Sequence, residues 1–337
     1  MSGQANVLEV VDLKVHFPAG RGEVVHAVDG VSFAVAPGIA FGLVGESGSG
    51  KTTAAMACAR LTEITSGVVR VNGEDITHLE GSRLKHARRD IQVVFQDPYA
   101  SLNPRERAGA IVRRPLDLLK IGTPAERARR VNELFELVGL RPEQQQLFPH
   151  QFSGGQRQRI GVARALASHP KLVICDEPVS ALDVAIQAQI LNLLARLKRE
   201  LGLSYLFISH DLAVVQHLCD RIAVMYLGQI VEIGSRRELF TRPMHPYTHA
   251  LISAVPSPER IGPPANARIR LKGDPPSPIS PPAGCRFAGR CAHTLDRCRD
   301  VMPALQDAGG DHAVACHRAT DPEVVKAREA VMNAAPG

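Results

Sequence analysis

"GESGSGKT", Gly45 to Thr52, follows the apolar run "GIAFGLVG" (38–45) and precedes an alanine-rich stretch. Strand, glycine turn and helix in that order are the setting a phosphate-binding P-loop needs. Glycines let the backbone curl until several N–H groups point at one phosphate chain. Lys51 adds positive charge near the β- and γ-phosphates, and Thr52 offers a hydroxyl to Mg²⁺. The following helix turns the positive end of its dipole toward the anion. Gly45, Ser47, Gly48, Ser49, Gly50, Lys51, Thr52 and Thr53 are therefore the expected triphosphate contacts. A glycine-rich turn that binds nothing is the bland alternative, and the combination of strand, lysine, hydroxyl and helix speaks against it.

Further along, "KLVICDE" (171–177) buries four apolar residues and then presents Asp176 and Glu177. Ligands of open α/β sheets bind at the C-terminal ends of the strands. Asp176 can hold Mg²⁺ there, and Glu177 can polarise a water for attack on a γ-phosphate. A second glycine turn, Ser153-Gly154-Gly155-Gln156, opens a helix with Ile160, Ala163, Leu166 and Ala167 on its apolar face. It is another candidate anion site. One nucleotide needs one cradle, so the second makes sense if it closes on nucleotide held by another subunit.

Around these motifs, strand-like and helix-like segments alternate through residues 1–250. Runs at 38–45, 90–96, 171–177, 204–210 and 221–234 read as strands, the middle ones buried on both faces as in a parallel sheet. "FAVAPG" and "VVRVNGEDI" suit a more exposed antiparallel edge. Thr123-Pro124-Ala125-Glu126 is a capping box opening a helix with Val131, Leu134, Phe135 and Val138 on one face. A second stripe runs through Ile186, Ile190, Leu194, Leu197 and Leu201. The fold class is α/β, with a mainly helical insertion at about 97–164.

The 337 residues suggest two domains. With 45% hydrophobic and 22% charged residues, composition is that of an ordinary globular protein. No apolar run is long enough for a membrane span. The first residues lack the basic and apolar regions of a signal peptide, so a cytoplasmic setting is expected. Net charge is +6, with basic clusters at Arg83–Arg89, Arg105–Arg114 and Arg127–Arg130. These read as a solvated face, with phosphates, anionic lipid or an acidic partner as the alternatives. No tryptophan and only four tyrosines leave few platforms for base stacking, so nucleic acid is not an expected partner.

"GESGSGKTT", "FSGGQRQR", "LVICDEP", "SALD" and "FISHD" occur in the order and spacing of ATP-binding-cassette (ABC) ATPases, which this chain resembles over most of residues 7–240. That resemblance implies an ABC-type P-loop ATPase: a RecA-like parallel-sheet core, an antiparallel β edge and a helical subdomain, together spanning residues 1–255. It implies ATP and Mg²⁺, with Thr52, Gln96 and Asp176 near the metal. Glu177, Gln96 and His210 become the catalytic set. Ser153, Gly154, Gly155 and Gln156 match the signature motif that contacts ATP on the opposite subunit, and Asp183 matches the aspartate of the dimer-contacting loop. Phe17 matches the adenine-stacking position, with a core phenylalanine as the alternative. The chain departs from the pattern at Ile39, where an acidic residue is usual, and at Phe152, where leucine is frequent.

"VFQDPYASLNPR" (94–105), "HPYTHALISAVPSPE" (245–259) and "KGDPPSPISPPAGCRF" (272–287) resemble the ATPase subunits of oligopeptide/dipeptide importers. Such a subunit is expected at the cytoplasmic face of the plasma (inner) membrane. Its implied partners are a second, similar ATPase in a heterodimer, two transmembrane permeases and, indirectly, an extracytoplasmic peptide-binding protein. Nickel or glutathione import is the alternative within the subfamily. An ABC ATPase of translation or DNA repair is a rival, but those usually carry two cassettes or a long coiled coil.

From about residue 256 the chain is proline-rich and then gathers Cys285, Cys291, Cys298 and Cys316. This proline- and cysteine-rich extension is expected to span 256–337. A reducing compartment disfavours disulfides. Four thiols suit a tetrahedral zinc or an iron–sulfur cluster, yet the intervals of 5, 6 and 17 residues contain no CxxC pair. His293, His312 and His317 are possible substitutes but are expected at the surface. The subfamily resemblance implies a 4Fe–4S cluster, with zinc as the alternative and free thiols as a third outcome.

Overall fold

The computed structural model describes residues 5–20, 22–255 and 269–333. Strands β1 (Leu8–Gly20) and β2 (Glu23–Val35) come first, then β3 (Ala40–Val44), which runs through the glycine loop into α1 (Lys51–Cys58). Next come β4 (Ser66–Val71), β5 (Glu74–Asp75), α2 (Gly81–Ala87) and β6 (Ile91–Val94). Helices α3 (Ala108–Leu118), α4 (Pro124–Leu137) and α5 (Gly154–Leu166) fill the insertion. The chain returns through β7 (Leu172–Asp176), α6 (Val184–Leu201), β8 (Ser204–Ser209), α7 (Leu212–Leu218), β9 (Arg221–Tyr226), β10 (Gln229–Ser235), α8 (Arg236–Thr241) and α9 (Pro246–Ser253). Short elements end the chain: α10 (Asp296–Asp300), β11 (Gln306–Asp307), β12 (Ala313–Val314) and α11 (Pro322–Asn333).

Two sheets result. One is antiparallel, in the order β2-β1-β4-β5; the other runs β11-β12-β10-β9-β3-β8-β7-β6. In the larger sheet β9, β3, β8, β7 and β6 are mutually parallel, and the strands beyond β9 are antiparallel. Alternation along the parallel strands divides the apolar interior. Leu172 and Ile174 face a core shared with Phe41, Leu43, α1 and the antiparallel sheet. Val173 and Cys175 face the opposite core, shared with Tyr205, Phe207 and helices α3 to α6. Helix α1 thus lies between the two sheets with Ala54, Ala55 and Ala57 fully buried. Small side chains there allow the close packing that holds the glycine loop in place.

Local signals act where they were expected. Thr123 Oγ1 accepts from Glu126 N–H at 3.3 Å, and the Glu126 carboxylate accepts from Thr123 N–H at 2.7 Å. The α4 face Val131, Leu134, Phe135 and Val138 is buried. On α6, Ile190, Leu194 and Leu197 are buried, but Leu201 at the C-terminus is 45% exposed. Part of the second and third basic clusters is ion-paired, with Arg113 Nε 3.1 Å and Arg127 Nη1 2.7 Å from the Asp117 carboxylate, while among the described residues the Arg83–Arg89 cluster forms no salt bridge.

Two expectations are corrected. Residues 221–234 are not one strand but the hairpin β9–β10, because Leu227 (φ 43°) and Gly228 (φ 80°) both turn left-handed. Two consecutive positive φ values match the twist of a tight hairpin. His312 is not a surface residue. Its side chain is fully buried, with Nε2 2.7 Å from a fully buried Glu232 carboxylate. The same carboxylate accepts from Met244 N–H at 2.7 Å and His245 N–H at 2.8 Å. Glu232 lies on β10, and His312 just precedes β12, which pairs with β10. Of the proline-rich arm, residues 256–268 lie outside the described residues, and 269–284 form neither helix nor strand.

Removing His312 leaves Glu232 buried with one donor fewer. A hydrogen bond to a charged group is worth about 1.5–3 kcal/mol. His312→Ala is therefore expected to lower unfolding stability by about 2 kcal/mol in denaturant titration, while Arg113→Ala leaves it unchanged.

Candidate functional site

The glycine loop is shaped by what lies behind it. Gly50 has φ 98°, and a Cβ there would stand 2.1 Å from the Ala27 carbonyl oxygen. The neighbouring Ser49 carbonyl accepts from Gly228 N–H at 2.9 Å, and the Gly228 carbonyl accepts from Asp29 N–H at 2.8 Å. Ser47 and Gly48 remain exposed at the crest. Lys51 is buried, its ammonium donating to the carbonyls of Gly45 (2.9 Å) and Glu46 (2.8 Å). Burial pushes the Lys51 pKa down, and the charges of Glu177, Asp176 and Glu46 push it back up.

The C-terminal ends of three adjacent parallel strands bring the acidic groups to this loop. Asp176 ends β7 and accepts from Thr52 Oγ1 at 2.9 Å. Burial raises the Asp176 pKa, and the Thr52 hydrogen bond opposes that rise. A hydroxyl and a carboxylate at this separation are a hard-oxygen pair of the kind Mg²⁺ takes. Glu177 follows with φ 44°. This left-handed backbone in a non-glycine residue costs on the order of 1 kcal/mol. It is secured by Glu177 N–H donating to the Ile208 carbonyl at 3.0 Å. The Glu177 carboxylate then lies 3.1 Å from Gln96 Nε2 and 3.0 Å from His210 Nδ1. Gln96 follows β6 and His210 follows β8, so three strand ends hold one carboxylate in a fixed direction. Such a group can take a proton from a water beside it.

The second glycine turn lies elsewhere. Ser153 caps α5, accepting from Gln156 N–H at 3.4 Å while Gln156 Oε1 accepts from Ser153 N–H at 3.0 Å. Gly155 faces α6, where a Cβ would come within 2.5 Å of Ile186 Cγ2. Asp183 precedes α6, exposed and without a side-chain cap bond, and Val184 beside it is 81% exposed. Among the described residues, no hydrogen bond or ion pair joins Ser153, Gly154, Gly155, Gln156 or Asp183 to the glycine loop of the same chain. Phe17 is 40% exposed on β1, which sets aside the core reading. Thr53 is half-buried on α1.

Cys285, Cys291, Cys298 and Cys316 line one small cavity of about 20 Å³, together with His245, His293 and Thr294. Burial pushes the thiols of Cys285 and Cys291 up, and that of Cys316 up to about 12. Among the described residues no three of these sulfurs lie within 4.8 Å of one another. Tetrahedral zinc thiolates, with Zn–S near 2.3 Å, hold their sulfurs roughly 3.8 Å apart. Among the described residues the group whose ligand atoms all lie within 4.8 Å of one another is His16, His26 and Asp29. There the Asp29 carboxylate is already paired with the Arg286 guanidinium, which opposes a cation.

Contacts from outside the P-loop motif were not anticipated. Tyr247 Oη accepts from Glu46 N–H at 2.8 Å, and Arg290 meets the Glu46 carboxylate. The only sequence signal is the pair Arg286 and Arg290 between Cys285 and Cys291.

Comparison with known proteins places these features in a family. Residues 28–180 match the ABC transporter model, and residues 231–298 match the oligopeptide/dipeptide transporter C-terminal region. The chain is 48% identical over 323 residues to the oligopeptide transport ATP-binding protein AppF of Bacillus subtilis, covering 94% of this chain and 98% of that protein. It is 49% identical over 312 residues to a putative peptide import ATP-binding protein of Brucella ovis, covering 93% and 98% respectively. Among solved structures it is similar to the dimeric post-hydrolysis state of the ATP-binding cassette MJ0796 bound to ADP and Pi. That match has a TM-score of 0.62 and 30% identity, and it covers 68% of this chain and 99% of the other.

Proposed function

This chain belongs to the ATP-binding subunits of oligopeptide/dipeptide-type ABC transporters, and we propose that it hydrolyses ATP to drive import of di- and oligopeptides. The observation that carries the reading is the convergence of Thr52, Asp176, Gln96, Glu177 and His210 beside the glycine loop. The loop amides from Gly45 to Thr53 and Lys51 receive the phosphates, and Phe17 stacks on the adenine. Thr52, Gln96 and Asp176 would hold Mg²⁺, which would neutralise charge on the phosphates. Glu177 accepts a proton from water as the water oxygen bonds to the γ-phosphorus and the bond to the β–γ bridging oxygen breaks. His210 steadies Glu177 and the transferred phosphate.

Ser153 to Gln156 and Asp183 act in trans, on nucleotide held by a second ATPase subunit. Their separation from this chain's own glycine loop supports that assignment, as does the dimeric form of the MJ0796 cassette. A heterodimer with a similar ATPase is proposed, coupled through the segment after Gln96 to two permeases served by an extracytoplasmic peptide-binding protein. Among the described residues no helix is long and apolar enough to cross a membrane. The permeases therefore hold the subunit peripherally at the cytoplasmic face. Residues 1–255 act as the nucleotide-binding domain, and 256–337 as the extension that carries the cysteines.

We propose a 4Fe–4S cluster at the four cysteines on the subfamily resemblance, with zinc as the alternative. The support is that all four thiols border one cavity. Such a group would tie together a segment with little apolar core of its own.

Glu177→Gln is expected to keep ATP binding and to lose hydrolysis by roughly 10²–10⁴-fold, the usual contribution of a positioned base. Wild-type turnover in the assembled transporter would remove Glu177 from the base role. A deletion strain should fail to grow on defined di- and oligopeptides yet grow on the free amino acids; unimpaired growth on the peptides argues for another cargo. Protein purified without oxygen should be brown and carry iron, and colourless, zinc-loaded protein would overturn the cluster.

A further inference from the structure

We propose that the loop between Cys285 and Cys291 positions the nucleotide, with Arg290 acting on the P-loop through Glu46. The inference rests on the ATP-binding reading above and not on the identity of the cargo. Glu46 is the second residue of the glycine loop and is gripped at three points. Its carbonyl accepts from the Lys51 ammonium at 2.8 Å, and its N–H donates to Tyr247 Oη at 2.8 Å. Its carboxylate meets the Arg290 guanidinium in two parallel contacts, Nη1 to Oε2 at 2.7 Å and Nη2 to Oε1 at 3.1 Å. The Arg290 side chain is only 9% exposed. Two-point geometry and low exposure separate this pair from a surface ion pair, which contributes little.

The same loop reaches the far side of the P-loop. Arg286, 5% exposed, donates to the Leu227 carbonyl and pairs with Asp29. Asp29 and Gly228 then lead by backbone hydrogen bonds to the Ser49 carbonyl. Between the two arginines Phe287 is buried, its ring 5.3 Å from that of Tyr226 and 5.4 Å from that of Tyr247. The loop is anchored at its start by Cys285 N–H, which donates to the Cys298 carbonyl at 2.8 Å. A seven-residue segment inside the cysteine site therefore braces both ends of the phosphate cradle.

Charge gives Arg290 a second effect. The Glu46 carboxylate is among the charges felt at the Lys51 ammonium. Without a guanidinium against it, the carboxylate would oppose a triphosphate arriving at the same loop. Arg290 pairs with the carboxylate and neutralises it. It is a positioning residue, since it touches the loop and not the reacting atoms.

The test uses the assembled transporter, with the Kd of a fluorescent Mg²⁺–ATP analogue and the KM and kcat of hydrolysis as readouts. Arg290→Ala is expected to raise Kd and KM about tenfold, with kcat changing less than twofold. Glu46→Gln should have a smaller effect, because it removes the opposing charge with the contact. The double variant should resemble Glu46→Gln alone, and Arg290→Lys should recover part of the affinity. A tail that only loosened the fold would instead reduce kcat through a smaller active fraction, with KM unchanged. That pattern, or an unchanged Kd in Arg290→Ala, or additive effects in the double variant, would overturn the proposal. A wild-type complex that binds no nucleotide would overturn the ATP reading and this inference together, whereas tight wild-type binding with an indifferent Arg290 overturns this inference alone.

Discussion

The phosphate end of the molecule depends on backbone packed directly against backbone. A Cβ on Gly50 would meet the Ala27 carbonyl oxygen at 2.1 Å, and one on Gly45 would meet the Met225 carbonyl oxygen at the same distance. No side chain fits at either place, so the loop presses onto β2 on one side and onto the end of β9 on the other. The Leu227–Gly228 turn then clips Ser49 through a single amide hydrogen bond. The loop's shape is thus dictated by distant segments meeting behind it. The two sheets must be held at a fixed separation for this to happen, and the small residues of α1 set that separation.

Parallel register does the corresponding work for the acidic groups. Val94 lies opposite Cys175, Asp176 opposite Ile208, and Val44 opposite Ser209. The four strands therefore end at one level, with neighbouring strands about 4.8 Å apart. Residues just past each end, Gln96, Glu177 and His210, fall within hydrogen-bonding reach with no dedicated scaffold. An antiparallel sheet would send alternate strand ends to opposite edges. The left-handed backbone at Glu177 completes the arrangement by turning its carboxylate between Gln96 Nε2 and His210 Nδ1.

What could be read from the sequence is what local chemistry specifies. The glycine loop, the capping box before α4, the buried runs and the acidic strand end each rest on residues a few positions apart. The misread parts lacked such signals. A tight hairpin of this type is usually announced by Asn-Gly or Asp-Gly. Here it is Leu-Gly, and the continuous apolar run on both sides concealed it. His312 looked solvated because histidine is polar, yet its partner Glu232 is likewise polar, and the two bury each other across a strand pairing no periodicity reveals. The arginines of the cysteine segment were invisible for the same reason. Their partners Asp29 and Glu46 lie near the opposite end of the chain.

The electrostatic balance at the site orders these parts. Lys51 is one buried cation beside Glu46, Asp176 and Glu177, and desolvation works against its charge. A triphosphate added to that set would face three carboxylates and one ammonium. Arg290 removes Glu46 from the sum. A divalent cation at Thr52 and Asp176 would remove Asp176, whose own burial already disfavours the bare ionised form. Glu177 is then the carboxylate with neither the arginine nor the divalent cation against it, held between Gln96 and His210. Neutralising two of three neighbouring acids by different means would leave one carboxylate for the proposed base role and enough positive charge beside the loop for phosphate.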